Sequence, residues 1–318
     1  MSALVMTSCN FSDEPIAIDR ADLSALLGSV CDYALDHDRR ISHRCDDSII
    51  AVVGDDTAVF RRSRGMTPTP VQVPAYGRAI LAVGADTKNA FCIAVGGKAY
   101  LSQYIGEMSE PGVADFQEKE ISAQIGLLGA RVDVIAHDLH PEYHSTAFAE
   151  RYPATERIGV QHHHAHLAAC LADNGWRAED GEVVGVMLDG TGYGSDDRIW
   201  GGEWLLGGYC GYRRLAHLEY LPLPGGDAAT RHPWRIAAGY LYALFGEVPD
   251  GLLGADATPA ALGVIRQQVH KSLNAPLSSS MGRLFDADSA PRVNAWTSTT
   301  DEFQISPDTI EGLSLIHI

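Results

Sequence analysis

One unit occurs twice in this chain, and it decides which folds are open to it. A short apolar strand runs into a polar loop centred on an aspartate, a second strand returns, and a double glycine leads onward. The first copy comprises strand 80–83, a loop around Asp86, strand 91–95, Gly96 and Gly97, and strand 98–101. The second comprises strand 183–188, a loop from Asp189, and the segment 200–209. Between them, helical stretches near 116–128, 145–151 and 162–173 alternate with strands 132–136 and 157–160. This alternation packs helices against a sheet. Strand 183–188 is almost continuously apolar, which predicts burial on both faces.

Residues 1–75 read as a separate unit. A strand at Leu4-Val5-Met6 enters a polar turn, a helix follows near 21–35, and strands 48–53 and 57–60 meet at Gly54-Asp55-Asp56. Three prolines in 67–74 favour an extended segment, and the domain boundary is placed there. Hydrophobic residues make up 46% of the chain, enough to exclude wholesale disorder. The net charge of −17 argues against a non-specific grip on nucleic acid, although Arg61, Arg62 and Arg64 cluster locally. Six scattered cysteines form no CxxC pair, so neither a zinc ribbon nor a dithiol redox motif is expected. No apolar run approaches the ~20 residues that span a bilayer, and no signal peptide is evident. The expectation is a reduced, cytoplasmic protein. The last six residues, 313–318, match one reading frame of a transposase adapter. A truncated reading frame is therefore expected over a genuine terminal strand.

The histidines carry the strongest chemical signal. In Val160-Gln161-His162-His163-His164-Ala165-His166, a helix starting after Gln161 puts His162 and His166 on one face. His163 and His164 then point elsewhere. Asp189 ends a strand and opens Gly190-Thr191-Gly192-Tyr193-Gly194, where alternating glycines could leave backbone N–H groups free to cradle phosphate. The alternative is a tight glycine hairpin whose aspartate caps a turn. Two imidazoles and a carboxylate leave open positions on zinc or iron. Lys88 and Asn89 in the first polar loop are weaker candidates for a nucleotide. Ser279 to Arg283, with Gly282, reads either as a further phosphate loop or as an ordinary helix cap. Ser8 and Asn10 offer a hydroxyl and an amide at a turn, and Arg64 offers a cation. No protein nucleophile can be defended from spacing.

With these residues in hand the sequence resembles the HypF carbamoyltransferases, which serve cyanide-ligand assembly in NiFe-hydrogenase maturation. The likeness runs through Leu81-Ala82-Val83-Gly84-Ala85-Asp86-Thr87-Lys88-Asn89, Tyr100 to Gly106, Ala136-His137-Asp138-Leu139-His140-Pro141, the histidine run, and Trp200-Gly201-Gly202-Glu203. It reaches about Asp286. The resemblance implies an α/β fold in which 1–75 is the C-terminal part of a YrdC-like domain. Residues 76–312 would then be a TsaD-like, actin-like (ASKHA) domain incomplete in its second lobe, and 313–318 an artefact. It implies ATP with magnesium and carbamoyl phosphate as substrates, carbamoyl-adenylate as the intermediate, and a partner's C-terminal cysteine (HypE type) as acceptor. Membrane and nucleic acid are not expected as partners. His162, His166 and Asp189 would be the catalytic metal ligands, for iron or zinc. Gly190, Thr191, Gly192 and Gly194 would line the nucleotide phosphates, and Ser8, Asn10 and Arg64 would face the YrdC-like nucleotide. Cys9 departs from the glycine usual in that loop. The family's acylphosphatase-like and zinc-finger regions have no counterpart here, and its final aspartate ligand would lie beyond the resemblance. Low or absent activity of the chain as written is therefore expected. Transfer to a small-molecule hydroxyl and a non-catalytic actin-like nucleotide module are the alternatives.

Overall fold

The computed structural model describes residues 10, 15–290 and 315–316. Two compact units emerge, one ending at Val160 and the other beginning at Gln161. Leu4 to Cys9, and most of 291–318, lie outside the described residues.

In the first unit, helix α1 (Arg20–Leu26) starts under Asp19, whose carboxylate accepts the Asp22 N–H at 2.9 Å. The helix expected to continue to residue 35 stops here. Gly28 takes a left-handed φ of +85°, and its N–H turns back to the Cys31 carbonyl. Tyr33 and Leu35 are more than nine-tenths exposed, so no packing is available to hold further helical turns. Strands β1 (Ile49–Val53) and β2 (Asp56–Arg61) form the expected hairpin, with Gly54 left-handed at the turn. As a two-stranded sheet they leave Ile50, Val52, Val53 and Phe60 exposed.

A six-stranded sheet follows, in the order β3-β6-β5-β4-β7-β8. Its strands are β3 (Val71–Gln72), β4 (Ala79–Ala82), β5 (Cys92–Val95), β6 (Lys98–Leu101), β7 (Val132–Asp138) and β8 (Glu156–Val160). Strands β4, β5 and β6 are an antiparallel meander; β7 and β8 add in parallel through helices α2 (Val113–Leu128) and α3 (His144–Arg151). Gly96 and Gly97 supply the two left-handed residues of a tight hairpin turn. Leu81, Ile93, Phe91, Ile121 and Ile135 form the core between sheet and helices.

The first polar loop proves to be a structural clasp. Asn89 is 1% exposed; its amide donates to the Val83 and Ala85 carbonyls, and its oxygen accepts from Gln117 Nε2. Asp86 accepts the His144 and Ser145 N–H groups and so caps the start of α3. Asp86→Ala should therefore lower stability by about 1–2 kcal/mol. The check is a lower urea midpoint with an unchanged m-value.

The second unit opens with helix α4 (His162–Asp173), which spans the stretch read from the sequence. Strands β9 (Val183–Tyr193), β10 (Ile199–Gly208) and β11 (Gly211–His217) repeat the antiparallel meander. Leu167 and Leu171 of α4 pack on Val183, Met187, Trp200 and Leu205. Next come β12 (Leu221–Pro222), helices α5 (Asp227–Arg231), α6 (Pro233–Phe245) and α7 (Pro259–Lys271), β13 (Leu277–Ser278) and α8 (Met281–Ser289). A second core forms around Tyr240, Ile236 and Ile265. At the sheet edge, β14 (Leu315–Ile316) pairs in parallel with Val184 and Gly185 of β9. Among the described residues no helix is long and apolar enough to cross a membrane.

Two expectations for β9 need correcting. Burial alternates along its first half and Leu188 is 59% exposed, so the strand is not covered on both faces. It also runs on through Asp189, Gly190, Thr191 and Gly192 to Tyr193, where a loop was expected. Gly192 pairs with Trp200 and Tyr193 with Ile199, and a register shift between Trp200 and Gly202 absorbs the irregularity. Glycine's weak strand preference suggested a loop; pairing with β10 overrides it.

Candidate metal centre

Gln161 ends the approach to α4 in extended backbone, and its side-chain oxygen accepts the His164 N–H at 2.9 Å. This cap starts the helix at His162 and sets His162 and His166 one turn apart, with their Nε2 atoms separated by 3.3 Å. Asp189 comes to them from β9. Its Oδ2 lies 3.0 Å from His162 Nε2 and 3.5 Å from His166 Nε2, while Oδ1 accepts the Gly190 N–H at 2.6 Å. The ligand atoms of His162, His166 and Asp189 all fall within 4.8 Å of one another.

The backbone of Asp189 is pinned from α8. Ser280 Oγ sits 2.9 Å from the Asp189 carbonyl and 2.7 Å from that of Gly190, and it also caps α8 by accepting the Arg283 N–H. The Ser279 to Arg283 segment is thus a helix cap, one of its two readings. Beneath it, Glu203 is fully buried. Its Oε1 accepts from the Gly201 and Gly202 N–H groups and the Ser279 hydroxyl, and its Oε2 takes Arg214 Nε at 2.6 Å. The Arg214 guanidinium stacks 3.9 Å over Trp200.

Several glycines around the site are held in close packing. A Cβ at Gly192 would stand 2.8 Å from His162 Cδ2 and closer still to His163 Cε1. At Gly194 it would strike the Trp200 indole, and at Gly282 it would lie 2.7 Å from Gly190 Cα. Close packing is reason enough for glycine at these three positions. Gly190 has room, since its nearest neighbour would be Arg283 Nη2 at 3.5 Å, and Thr191 is exposed.

His163 is the main correction. Helical spacing turned it away, yet its Nε2 lies 3.6 Å from Asp189 Oδ2 because β9 passes so close to the first turn of α4. His164 does point elsewhere, with Nε2 2.8 Å from the Gly208 carbonyl. Burial pushes the His163 imidazole down to about 3, so it is neutral at physiological pH. Burial alone would raise the Asp189 carboxyl. The imidazoles of His162 and His166 beside it win, holding it well below the usual carboxylate range. Glu203 and Arg214 were also missed as a pair. A single glutamate inside Trp200-Gly201-Gly202-Glu203-Trp204-Leu205-Leu206 was the available signal, because a carboxylate in such a strand is almost never buried unpaired.

The remaining candidates belong to the first unit. Lys88 is exposed, and Asn89 has both amide hydrogens engaged within the clasp. The Arg64 side chain is 68% exposed, donating to the Cys45 carbonyl and pairing with Asp47. Asn10 lines a cavity of about 160 Å³ with Arg44, Asp46, Arg61 and Tyr104. Ser8 lies outside the described residues.

The residues of the second unit suit a divalent cation. Asp189 Oδ2 is a buried polar atom without a well-aligned hydrogen bond, and a buried acceptor of that kind is destabilising unless something satisfies it. Two imidazoles with a carboxylate are ligands that zinc and iron accept.

Family models match both units. HypF Kae1-like domain covers residues 75–173, and the second subdomain of the carbamoyltransferase Kae1-like domain covers 185–298. The Sua5/YciO/YrdC model, described as telomere recombination, covers 1–63. Carbamoyltransferase HypF2 of Cupriavidus necator is 41% identical over 89% of this chain and 35% of its own length. Carbamoyltransferase HypF of Rhodobacter capsulatus is 41% identical over 90% of the chain and 39% of its own. A crystal structure of full-length HypF in the phosphate- and nucleotide-bound form superposes with a TM-score of 0.83 at 34% identity. The match covers 88% of this chain and 37% of that one. The chain therefore spans well under half the length of these relatives, and within that span it belongs to the HypF carbamoyltransferase family.

Proposed function

We propose that this chain carries the group-transfer part of a HypF-type reaction. A carbamoyl group activated as carbamoyl-adenylate, from ATP and carbamoyl phosphate, passes to the C-terminal cysteine thiol of a hydrogenase-maturation partner. The observation that supports this reading is the convergence of His162, His166 and Asp189 within 4.8 Å. Iron or zinc bound by these three would supply Lewis-acid polarisation of an acyl or phosphoryl oxygen.

The chain's own residues prepare that centre. Ser280 holds the Asp189 backbone, Gly190 N–H fixes one carboxylate oxygen, and the Gln161 cap aims the first turn of α4. Glu203 and Arg214 join β10 to β11, and β10 is the strand against which β9, the strand of Asp189, is paired. A mixed anhydride is already activated, so the chain has only to bind and orient it while the partner's thiolate attacks the carbamoyl carbon, forming the thiocarbamate C–S bond as the C–O bond to phosphate breaks and AMP leaves. Its own thiols at Cys92 and Cys170 suit no such role: burial pushes Cys92 up to about 11 and raises Cys170 as well.

The test uses the full-length protein with His162→Ala and His166→Ala. Metal content by mass spectrometry and carbamoyl-phosphate-dependent ATP turnover should both fall, turnover by about 100-fold or more. If both survive in the two variants, the reading fails.

A further inference from the structure

We infer that His163 is a positioning residue of the centre: its Nε2–H donates toward Asp189 and fixes that carboxylate, and it does not act as a third imidazole ligand. This rests on the metal-centre reading above.

The polarity of Gln161 decides the matter. Its Oε1 faces the His164 N–H, which can only donate, and its Nε2 faces the Tyr193 carbonyl at 3.0 Å, which can only accept. The amide therefore has one possible orientation. The second hydrogen of Nε2 is directed to His163 Nδ1, 3.3 Å away. An Nδ1 that accepts leaves the single proton of a neutral imidazole on Nε2. A ligating Nε2 would need its proton moved to Nδ1, setting donor against donor at Gln161.

The geometry on the other side of the ring agrees. His163 is 0% exposed, and its Nε2 has no well-aligned partner; Asp189 Oδ2, 3.6 Å away, has none either. One is a donor and the other an acceptor, and they face each other. The ring is hemmed in on the Gly192 side, where an added Cβ would clash with Cε1. Gly190 N–H already holds Oδ1 at 2.6 Å, and a donor at His163 Nε2, 3.6 Å from Oδ2, is placed to restrain the second oxygen once the two close.

Two measurements on the purified chain test this. The first is long-range ¹H–¹⁵N correlation of labelled histidines before and after Zn²⁺ is added. His163 should show the Nε2–H tautomer in both states, while the Nε2 signals of His162 and His166 shift on Zn²⁺ addition. The second is Zn²⁺ affinity by chelator competition. His163→Leu should weaken binding about 10–100-fold, and His163→Gln, whose amide reaches a similar position, should restore it to within about threefold. A His163 Nε2 signal that moves to a metal-bound position, an Nδ1–H tautomer, or a leucine variant that binds as tightly as the parent would each overturn the inference. Wild-type affinity no better than that of His162→Ala would instead bring down the metal centre itself. The tautomer measurement needs no variant and holds even if the leucine variant does not fold.

Discussion

Gly192→Val should destroy metal affinity although residue 192 is not a ligand. The added Cβ would sit 2.8 Å from His162 Cδ2 and nearer still to His163 Cε1, against rings 14% and 0% exposed at their side chains. Neither ring can swing into solvent, so either both imidazoles shift or β9 pulls away and takes Asp189 with it. Overpacking of this kind costs about 1–3 kcal/mol. The loss of Zn²⁺ affinity should be larger, about 100-fold or more, because ligand placement is disturbed and not only its support. Chelator competition and a urea melt read the two effects separately. Gly190→Ala is the control: its Cβ would make one ordinary contact, with Arg283 Nη2 at 3.5 Å, and affinity should hold. Parent-like binding by Gly192→Val would show that the rings are looser than their burial implies.

Glu203→Leu should be the most destabilising single change in the second unit. It removes the nearer carboxylate of Arg214, whose side chain is only 17% exposed and whose other ion pair, to Asp196, is longer at 3.5 Å, and it strips acceptors from the Gly201 and Gly202 N–H groups and from Ser279. Breaking a buried pair from one side costs about 3–5 kcal/mol, mostly through the charge left behind. Denaturant unfolding should show a lower midpoint with an unchanged slope. If the stranded cation is the cause, then adding Arg214→Leu should recover part of the loss, and the double variant will be less destabilised than the sum of the two singles. Strict additivity would mean the pair contributes little beyond side-chain volume.

Much of the site was legible because its main spacing is local. His162 and His166 are one helical turn apart, and a polar residue ending an apolar strand marked Asp189. What escaped was non-local. Gly192 and Gly194 read as parts of a loop because a reason for glycine there lies elsewhere in the chain, in the rings of α4 and in Trp200. His163 was assigned away from the site by helical spacing, which ignores a strand lying against the helix end. The overlong first helix failed in the opposite sense. Its continuation carries Tyr33 and Leu35, apolar enough to suggest a packed face, but nothing packs on them. In the first polar loop residue types suggested ligand binding, and only the partners of Asn89 and Asp86 reveal a clasp.

The close-packed glycines limit how far this arrangement could be moved. A His-x-x-x-His pair and a strand-borne aspartate are easily written onto a designed scaffold. Yet at 192, 194, 201, 202 and 282 even a methyl group would fall within 3.0 Å of a neighbour. A graft that carries the donors without both strands and the first turn of α8 would transplant the vocabulary of the site and leave its grammar behind.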